Sequence, residues 1–231
     1  WDSLMAGKVL MRRYDILSQQ LAETVAEQLK NKPESCLGLP TGRSPQGCYK
    51  LLGQWSQAGK VDWSRASCFA LDDYMEADES ISFQTFLETH LYKFTNLTAG
   101  QKHNPRDVDD YDSLIEQHGG LDLTLLGLGT NGHIAFNEPH TPLESFTHCI
   151  WLTESTRTAN KSYFPENVTI PHRAISMGIR TILNSKRIIL VVSGKNKKQA
   201  LEKSLCGTPA PAVPASFLCL HPNLTVIKDF E

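Results

Sequence analysis

The sequence predicts an α/β fold in three layers: a mainly parallel sheet with helices packed on both faces. Three observations predict it. Apolar runs of strand length (35–39, 66–71, 121–127 and 188–192) alternate with helix-periodic stretches long enough to cross back over a sheet. Each of those runs ends in a glycine-rich or polar turn, as at the carboxyl edge of a parallel sheet, where ligands bind. The composition suits a packed core, with 231 residues of which 40% are hydrophobic and 21% charged, and no linker or repeat divides the chain. A single domain over 1–231 is expected.

The elements follow in order. Leu17, Leu21, Val25 and Leu29 recur every four residues, so 14–29 reads as an amphipathic helix with one apolar stripe. Residues 35–39 form a short buried strand, followed by Pro40-Thr41-Gly42-Arg43-Ser44-Pro45. Ser44 is expected to cap the next helix with Pro45 at its first position, and that helix should run to about Trp55. Strand 66–71 leads into a turn at Asp72-Asp73-Tyr74. Helices are expected over 83–94 and 108–118, the second closed by Gly119-Gly120. Strand 121–127 is the most apolar. After a long motif-bearing segment come strand 188–192, a turn at Ser193-Gly194, a helix over 195–205, a short helix near 215–220 and a last strand over 224–228. The sum is a Rossmann-like αβα sandwich.

Charge and composition narrow the function. Lys plus Arg number 23 against 25 Asp plus Glu, a formal charge of −2, which is not the basic face a nucleic-acid partner requires. No apolar run approaches the ~20 residues that span a bilayer, and no basic segment followed by an apolar one opens the chain, so a cytoplasmic protein is expected. None of the six cysteines forms a C-x-x-C pair and no histidine spacing suggests a metal site, so no metal is expected. Cys36, Cys68 and Cys219 lie in apolar contexts and read as buried thiols.

Three turns carry chemistry. Thr41-Gly42-Arg43-Ser44, between a strand and a helix, offers free backbone N–H groups at the positive end of a helix dipole, two hydroxyls and a cation: either an anion site or a plain capped turn. Ser193 to Lys197 repeats that logic. Lysines in a first helical turn oppose the dipole unless an anion is present, although Lys195 and Lys198 read as solvated. Together the two turns suggest a monophosphate held from two sides. Asp72 and Asp73 follow an apolar strand directly, where one carboxylate could serve as general base and the other cap or pair. In Gly129-Thr130-Asn131-Gly132-His133-Ile134-Ala135-Phe136-Asn137-Glu138-Pro139, glycines allow a close backbone approach. His133, with Asn131 and Glu138 near it, has the composition of a proton shuttle, whereas His90, His103, His118 and His221 read as structural.

These residues resemble a known family. Leu37-Gly38-Leu39-Pro40-Thr41-Gly42, Leu71-Asp72-Asp73-Tyr74 and the segment from Gly129 to Pro139 are similar to those of glucosamine-6-phosphate deaminases (isomerases). The likeness continues through Ile175-Ser176-Met177-Gly178-Ile179, Ser193–Lys197 and Pro214-Ala215-Ser216. The tetrad Phe136-Asn137-Glu138-Pro139 is its specific part; the related 6-phosphogluconolactonases share the Gly-His step but not, as a rule, the Asn-Glu-Pro. The resemblance implies conversion of a 2-amino-2-deoxyhexose 6-phosphate to a ketose 6-phosphate plus ammonia, with no metal or organic cofactor and a small sugar phosphate as partner. By position, His133 would assist ring opening, tuned by Glu138 and Asn131, and Asp72 would carry a proton from C2 to C1. Thr41, Gly42, Arg43, Ser44, Gly129 and Lys197 would hold the substrate and its phosphate.

The family usually has Asp where this chain has Asn131, an amide that orients an imidazole without stabilising its cation. That residue is also similar to galactosamine-6-phosphate deaminases, so either epimer is implied. The family's phosphate-binding arginine aligns with Ser162, beside Lys161. His148 and Ile150 stand where hexameric bacterial members carry basic residues, so no activation by N-acetylglucosamine 6-phosphate is expected. Family members range from monomers to hexamers, and either a monomer or a homo-oligomer fits. The alternatives are a 6-phosphogluconolactonase-type hydrolase or a non-catalytic sugar-phosphate sensor.

Overall fold

A computed structural model describes residues 13–76, 78–161 and 168–231. The apolar stripe of α1 (Arg13–Asn31) delivers Leu17, Leu21, Val25 and Leu29 to the core. Strand β1 (Cys36–Leu39) is buried throughout, and α2 (Arg43–Gln57) follows it. The start of α2 corrects the sequence expectation. Gly42 has φ of 96°, a conformation other residues avoid, and turns the chain into the helix one residue before Ser44. Ser44 and Pro45 therefore lie inside the first turn. Pro45 is tolerated there because the first four N–H groups of a helix have no intrahelical acceptor. No side chain caps this end.

Next come β2 (Ser67–Ala70) and β3 (Asp72–Tyr74), the latter a strand where a turn was expected. Helix α3 (Phe83–His90) is shorter than expected and ends before a 3-10 turn. Strand β4 (Lys102–His103) precedes α4 (Tyr111–Gln117), which starts where the Asp110 carboxylate accepts from the Ser113 N–H. Strand β5 (Leu123–Gly127) follows. Then come β6 (His148–Trp151), α5 (Glu154–Lys161), β7 (Arg173–Ser176) and α6 (Ile179–Leu183). The chain closes with β8 (Ile188–Val192), a 3-10 turn at Lys195–Lys197, α7 (Lys198–Cys206), a 3-10 segment at Pro214–Leu220 and β9 (Leu224–Lys228).

Six strands form one parallel sheet in the order β4-β2-β1-β5-β8-β9. Alternate residues of each strand feed opposite faces, as the two-residue period dictates. On one face Leu37, Leu39, Leu123, Leu125, Ile189 and Val191 meet α1 and α2. On the other, Phe69, Leu126, Ile188 and Leu190 meet Tyr111 and Ile115 of α4 and Leu201 of α7. Each such fully buried aliphatic or aromatic side chain contributes about 1.5–3 kcal/mol. The expected three layers are present.

A second, antiparallel sheet β3-β7-β6 was not expected. Its strands are short and only partly apolar, with β6 alternating half-buried and exposed residues, so they lack the continuous apolar runs that mark the main sheet. Cys36 and Cys68 are buried as expected. Cys219 instead lies at the surface, its thiol donating to Ser204 O, while Cys48 takes a core position on α2.

Candidate active site

The sheet order places the loops after β2, β1, β5 and β8 side by side along the carboxyl edge. Neighbouring strands lie ~4.8 Å apart, so these four tips span roughly 14 Å, room for one extended sugar phosphate. The change of winding direction on either side of β1 makes this the place where an open α/β sheet leaves a crevice.

Asp72 and the His133 turn converge on one strand. Asp72 is paired with Ser176 of β7. The Ser176 hydroxyl accepts from the Phe136 N–H at 3.1 Å, and the Asn137 amide donates to Met177 O at 2.8 Å and to Ile134 O. Rings reinforce the join: Tyr74, two residues after Asp72, packs on Phe83 and Phe136, with centroids 5.0 and 5.4 Å away. The sequence singled out neither Ser176 nor Asn137 for a role. Ser176 appeared only in a fragment without an acid or an imidazole, and Asn137 only as part of the tetrad beside Glu138.

The two adjacent aspartates have separate fates. Asp73 is wholly buried and accepts from the N–H groups of Tyr74 and Phe83 at 2.8 Å, and from Asn104 Nδ2 at 2.7 Å, so it anchors the start of α3. Asp72 is 7% exposed and accepts no hydrogen bond from the described residues. Burial, aided by the charge of Asp73, pushes its carboxyl up to about 8.

Around His133 the geometry fixes a tautomer. The imidazole Nδ1 lies 2.6 Å from Asn131 Oδ1, and Asn131 Nδ2 donates to Glu138 Oε2 at 2.8 Å. An ionised Glu138 can only accept, so the amide must turn its NH2 toward Glu138 and its oxygen toward the ring. That oxygen also accepts the His133 backbone N–H at 3.1 Å. Nδ1 therefore carries the proton and Nε2 keeps its lone pair. Burial lowers the basicity of the ring and the Lys197 charge lowers it further, against the opposing charge of Glu138. Gly129 makes the arrangement feasible: a Cβ there would sit 2.2 Å from ring atoms of His133.

The remaining predicted residues line the neighbouring tips. Thr41 and Gly42 form the turn into α2, and Arg43 and Ser44 lie in its first turn. Tyr14 of α1, absent from the sequence reading, inserts its hydroxyl between Gly47 N and Arg43 O and braces that turn. Lys197 is half-buried and makes no hydrogen bond or ion pair with the described residues. Burial lowers its basicity despite the nearby Asp229. Ser162 lies outside the described residues. Among those described, no three His, Cys, Asp or Glu side chains gather as metal ligands, and no helix is long and apolar enough to cross a membrane.

The family model described as glucosamine-6-phosphate isomerases/6-phosphogluconolactonase matches residues 12–226. The chain belongs to this family. It is 41% identical over 228 residues to a glucosamine-6-phosphate deaminase of Lachnoclostridium phytofermentans, covering 94% of this chain and 97% of that one. It is 40% identical to a glucosamine-6-phosphate deaminase of Bacillus velezensis, covering 96% of both. Among solved structures it resembles a monomeric glucosamine-6-phosphate deaminase with a TM-score of 0.89 and 37% identity, over 94% of this chain and 95% of that one. A 6-phosphogluconolactonase of Trypanosoma cruzi, at 16% identity and TM-score 0.75 over 94% and 92% of the two chains, shares the fold of the family.

Proposed function

We propose that the chain is a glucosamine-6-phosphate deaminase, converting the amino sugar phosphate and water to fructose 6-phosphate and ammonia in the cytoplasm, where such charged metabolites are retained. The observation that carries the reading is the meeting of Asp72 and the His133 turn on β7, with Lys197, unpaired among the described residues, on the neighbouring tip. The C2 proton of an aldose becomes acidic only when the ring opens to the C1 aldehyde, so one group must open the ring and another must move the proton. His133 Nε2 takes the proton from the C1 hydroxyl as the ring C–O bond breaks, and the ring oxygen is protonated in turn. Asp72 then takes the C2 proton and returns it at C1 while the ammonium gives up one proton and O1 gains one, leaving an iminium at C2 that water hydrolyses to ketone and ammonia. Each such transfer is worth roughly 10²–10⁴ in rate.

A buried carboxylate with no hydrogen-bond donor among the described residues suits an amino sugar in particular. The ammonium at C2 would arrive beside Asp72 and favour its ionised form, whereas a lactone brings no cation. The first turn of α2, with Thr41, Gly42, Arg43 and Ser44, and Lys197 across the β5 tip would hold the phosphate, with Gly129 giving the sugar close access to the backbone.

The test is ammonia release from glucosamine 6-phosphate and galactosamine 6-phosphate, beside hydrolysis of 6-phosphogluconolactone. Ammonia and fructose 6-phosphate in equal amounts are expected from the first substrate. Turnover of the lactone alone refutes the reading, and turnover of the galacto epimer alone changes its substrate.

A further inference from the structure

Glu138 has two carboxylate oxygens, and they are engaged from different elements. Oε2 accepts from Asn131 within the same loop. Oε1 accepts from the Thr156 hydroxyl at 3.0 Å, and Thr156 belongs to α5, a separate helix. The direction of that bond is fixed. Thr156 Oγ1 lies 3.0 Å from Thr153 Oγ1, which itself accepts the Thr156 N–H at 3.2 Å. The carboxylate cannot donate, so the Thr156 proton points to Glu138 and the Thr153 proton points to Thr156. The polarised chain ends on the oxygen that lies nearest the imidazole, with Oε1 3.8 Å from His133 Nδ1, beyond hydrogen-bond reach.

We propose that Thr156 is a positioning residue for the deaminase reaction: its hydroxyl holds Glu138 Oε1 off the imidazole, so that His133 is oriented by Asn131 and makes no direct hydrogen bond to Glu138. The proposal rests on the roles assigned above to His133 and Glu138. Without the hydroxyl, Oε1 is free to close on Nδ1, which exchanges the relay through Asn131 for a direct charge-assisted hydrogen bond. Among the described residues, the charged groups facing the ring are Glu138, from its own loop, and Lys197, from the turn after β8, while the neutral Thr156 and Asn131 face Glu138.

The test compares Thr156→Val, which keeps the shape and loses the donor, with Thr156→Ser, which keeps the donor. Two readouts are needed: steady-state ammonia release from glucosamine 6-phosphate, and the His133 titration followed by NMR of its ring. Thr156→Val is expected to raise the His133 midpoint and lower kcat roughly 10-fold, the scale of one charge-assisted hydrogen bond, with KM moved less than about threefold. Thr156→Ser should restore both. On a Glu138→Gln background, Thr156→Val should add nothing. An unmoved midpoint in Thr156→Val, equal losses in the Val and Ser variants, or an additive loss on Glu138→Gln overturns the proposal. If Thr156→Val does not fold, Thr156→Ala is read by the same titration. If the wild-type chain releases no ammonia, the functional reading falls, and the titration still decides what Thr156 does to Glu138.

Discussion

Asp72 and Asp122 are both buried acids beside strand ends, one at the carboxyl edge of the six-stranded sheet and the other at its amino edge. Asp122 meets Lys32 Nζ at 2.7 Å, Lys186 Nζ at 2.8 Å and the Cys36 N–H at 2.9 Å. Desolvation would raise its carboxyl, but those three donors outweigh it and hold the group below the usual range. Asp72 is desolvated as well and has a second acid beside it in place of any donor. One edge spends its charge on holding α1, β1, β5 and β8 together. The other keeps a carboxylate, a half-buried ammonium at Lys197 and an imidazole lone pair without partners among the described residues. Buried groups left without partners are costly to a folded chain, and their concentration at one edge marks that edge as the working one.

The largest test of this contrast is Asp72→Asn. Ammonia release should fall by about 10²–10⁴, the worth of one proton-transfer group, while the fold is retained. The wild-type kcat/KM should rise with pH toward about 8, because the base must be ionised. Stability should move the other way. The folded-state value lies above that of the unfolded chain, so the contribution of Asp72 is complete below pH 4 and is lost as pH rises through about 8. The variant should therefore gain stability relative to wild type over that window, read from urea midpoints. A variant that retains full activity refutes the assignment of Asp72.

Asp122→Asn should do the reverse. Ammonia release should stay within about twofold, and unfolding should lose about 1–3 kcal/mol from the weakened contacts to two lysines and an N–H. The pH slope is opposite too: this carboxyl lies below its unfolded value, so its contribution is present above about pH 4 and is lost on acidification. A large loss of kcat in this variant would erase the distinction between the two edges.

The sequence made the main sheet legible because its central strands are buried on both faces and read as continuous apolar runs, with 188–192 matching β8 residue for residue; the half-buried edge strand β9 also matches its expected span, 224–228. The antiparallel sheet was not legible, since β6 and β7 are held by pairing and by a few aromatic contacts and lack a strong pattern of their own. Within the candidate site, Asp72 and His133 stood out by their chemistry and by glycine spacing. Which of Asp72 and Asp73 is unpaired depends on Asn104 and on the N–H groups at the start of α3, and the Asn104 partnership crosses 31 residues of chain. Ser176, Asn137 and Thr156 likewise act through contacts made only after folding, with no local signature beyond a hydroxyl or an amide.

The smallest expected effect is the most specific to this chain. Asn131 is a neutral link between Glu138 and His133, and Asn131→Asp would give the carboxyl edge a charge-paired corner like the one around Asp122. An aspartate still accepts from Nδ1, and its charge should raise the ring's affinity for a proton. The His133 midpoint, followed by NMR of its ring, should move to higher pH by roughly one unit, the lower end of what an adjacent opposite charge produces, while the acidic limb of kcat/KM stays set by Asp72. Two terms limit the gain: the Asn131 donor to Glu138 is lost, and two carboxylates then face each other. Above the limb, the rate should change by less than about tenfold. The sign on stability also follows. The ring is now less basic than in the unfolded chain, so wild type loses stability as pH falls through the histidine range, and the variant should lose less there. A ring midpoint unmoved from that of wild type would mean that Asn131 does not couple the acid to the ring.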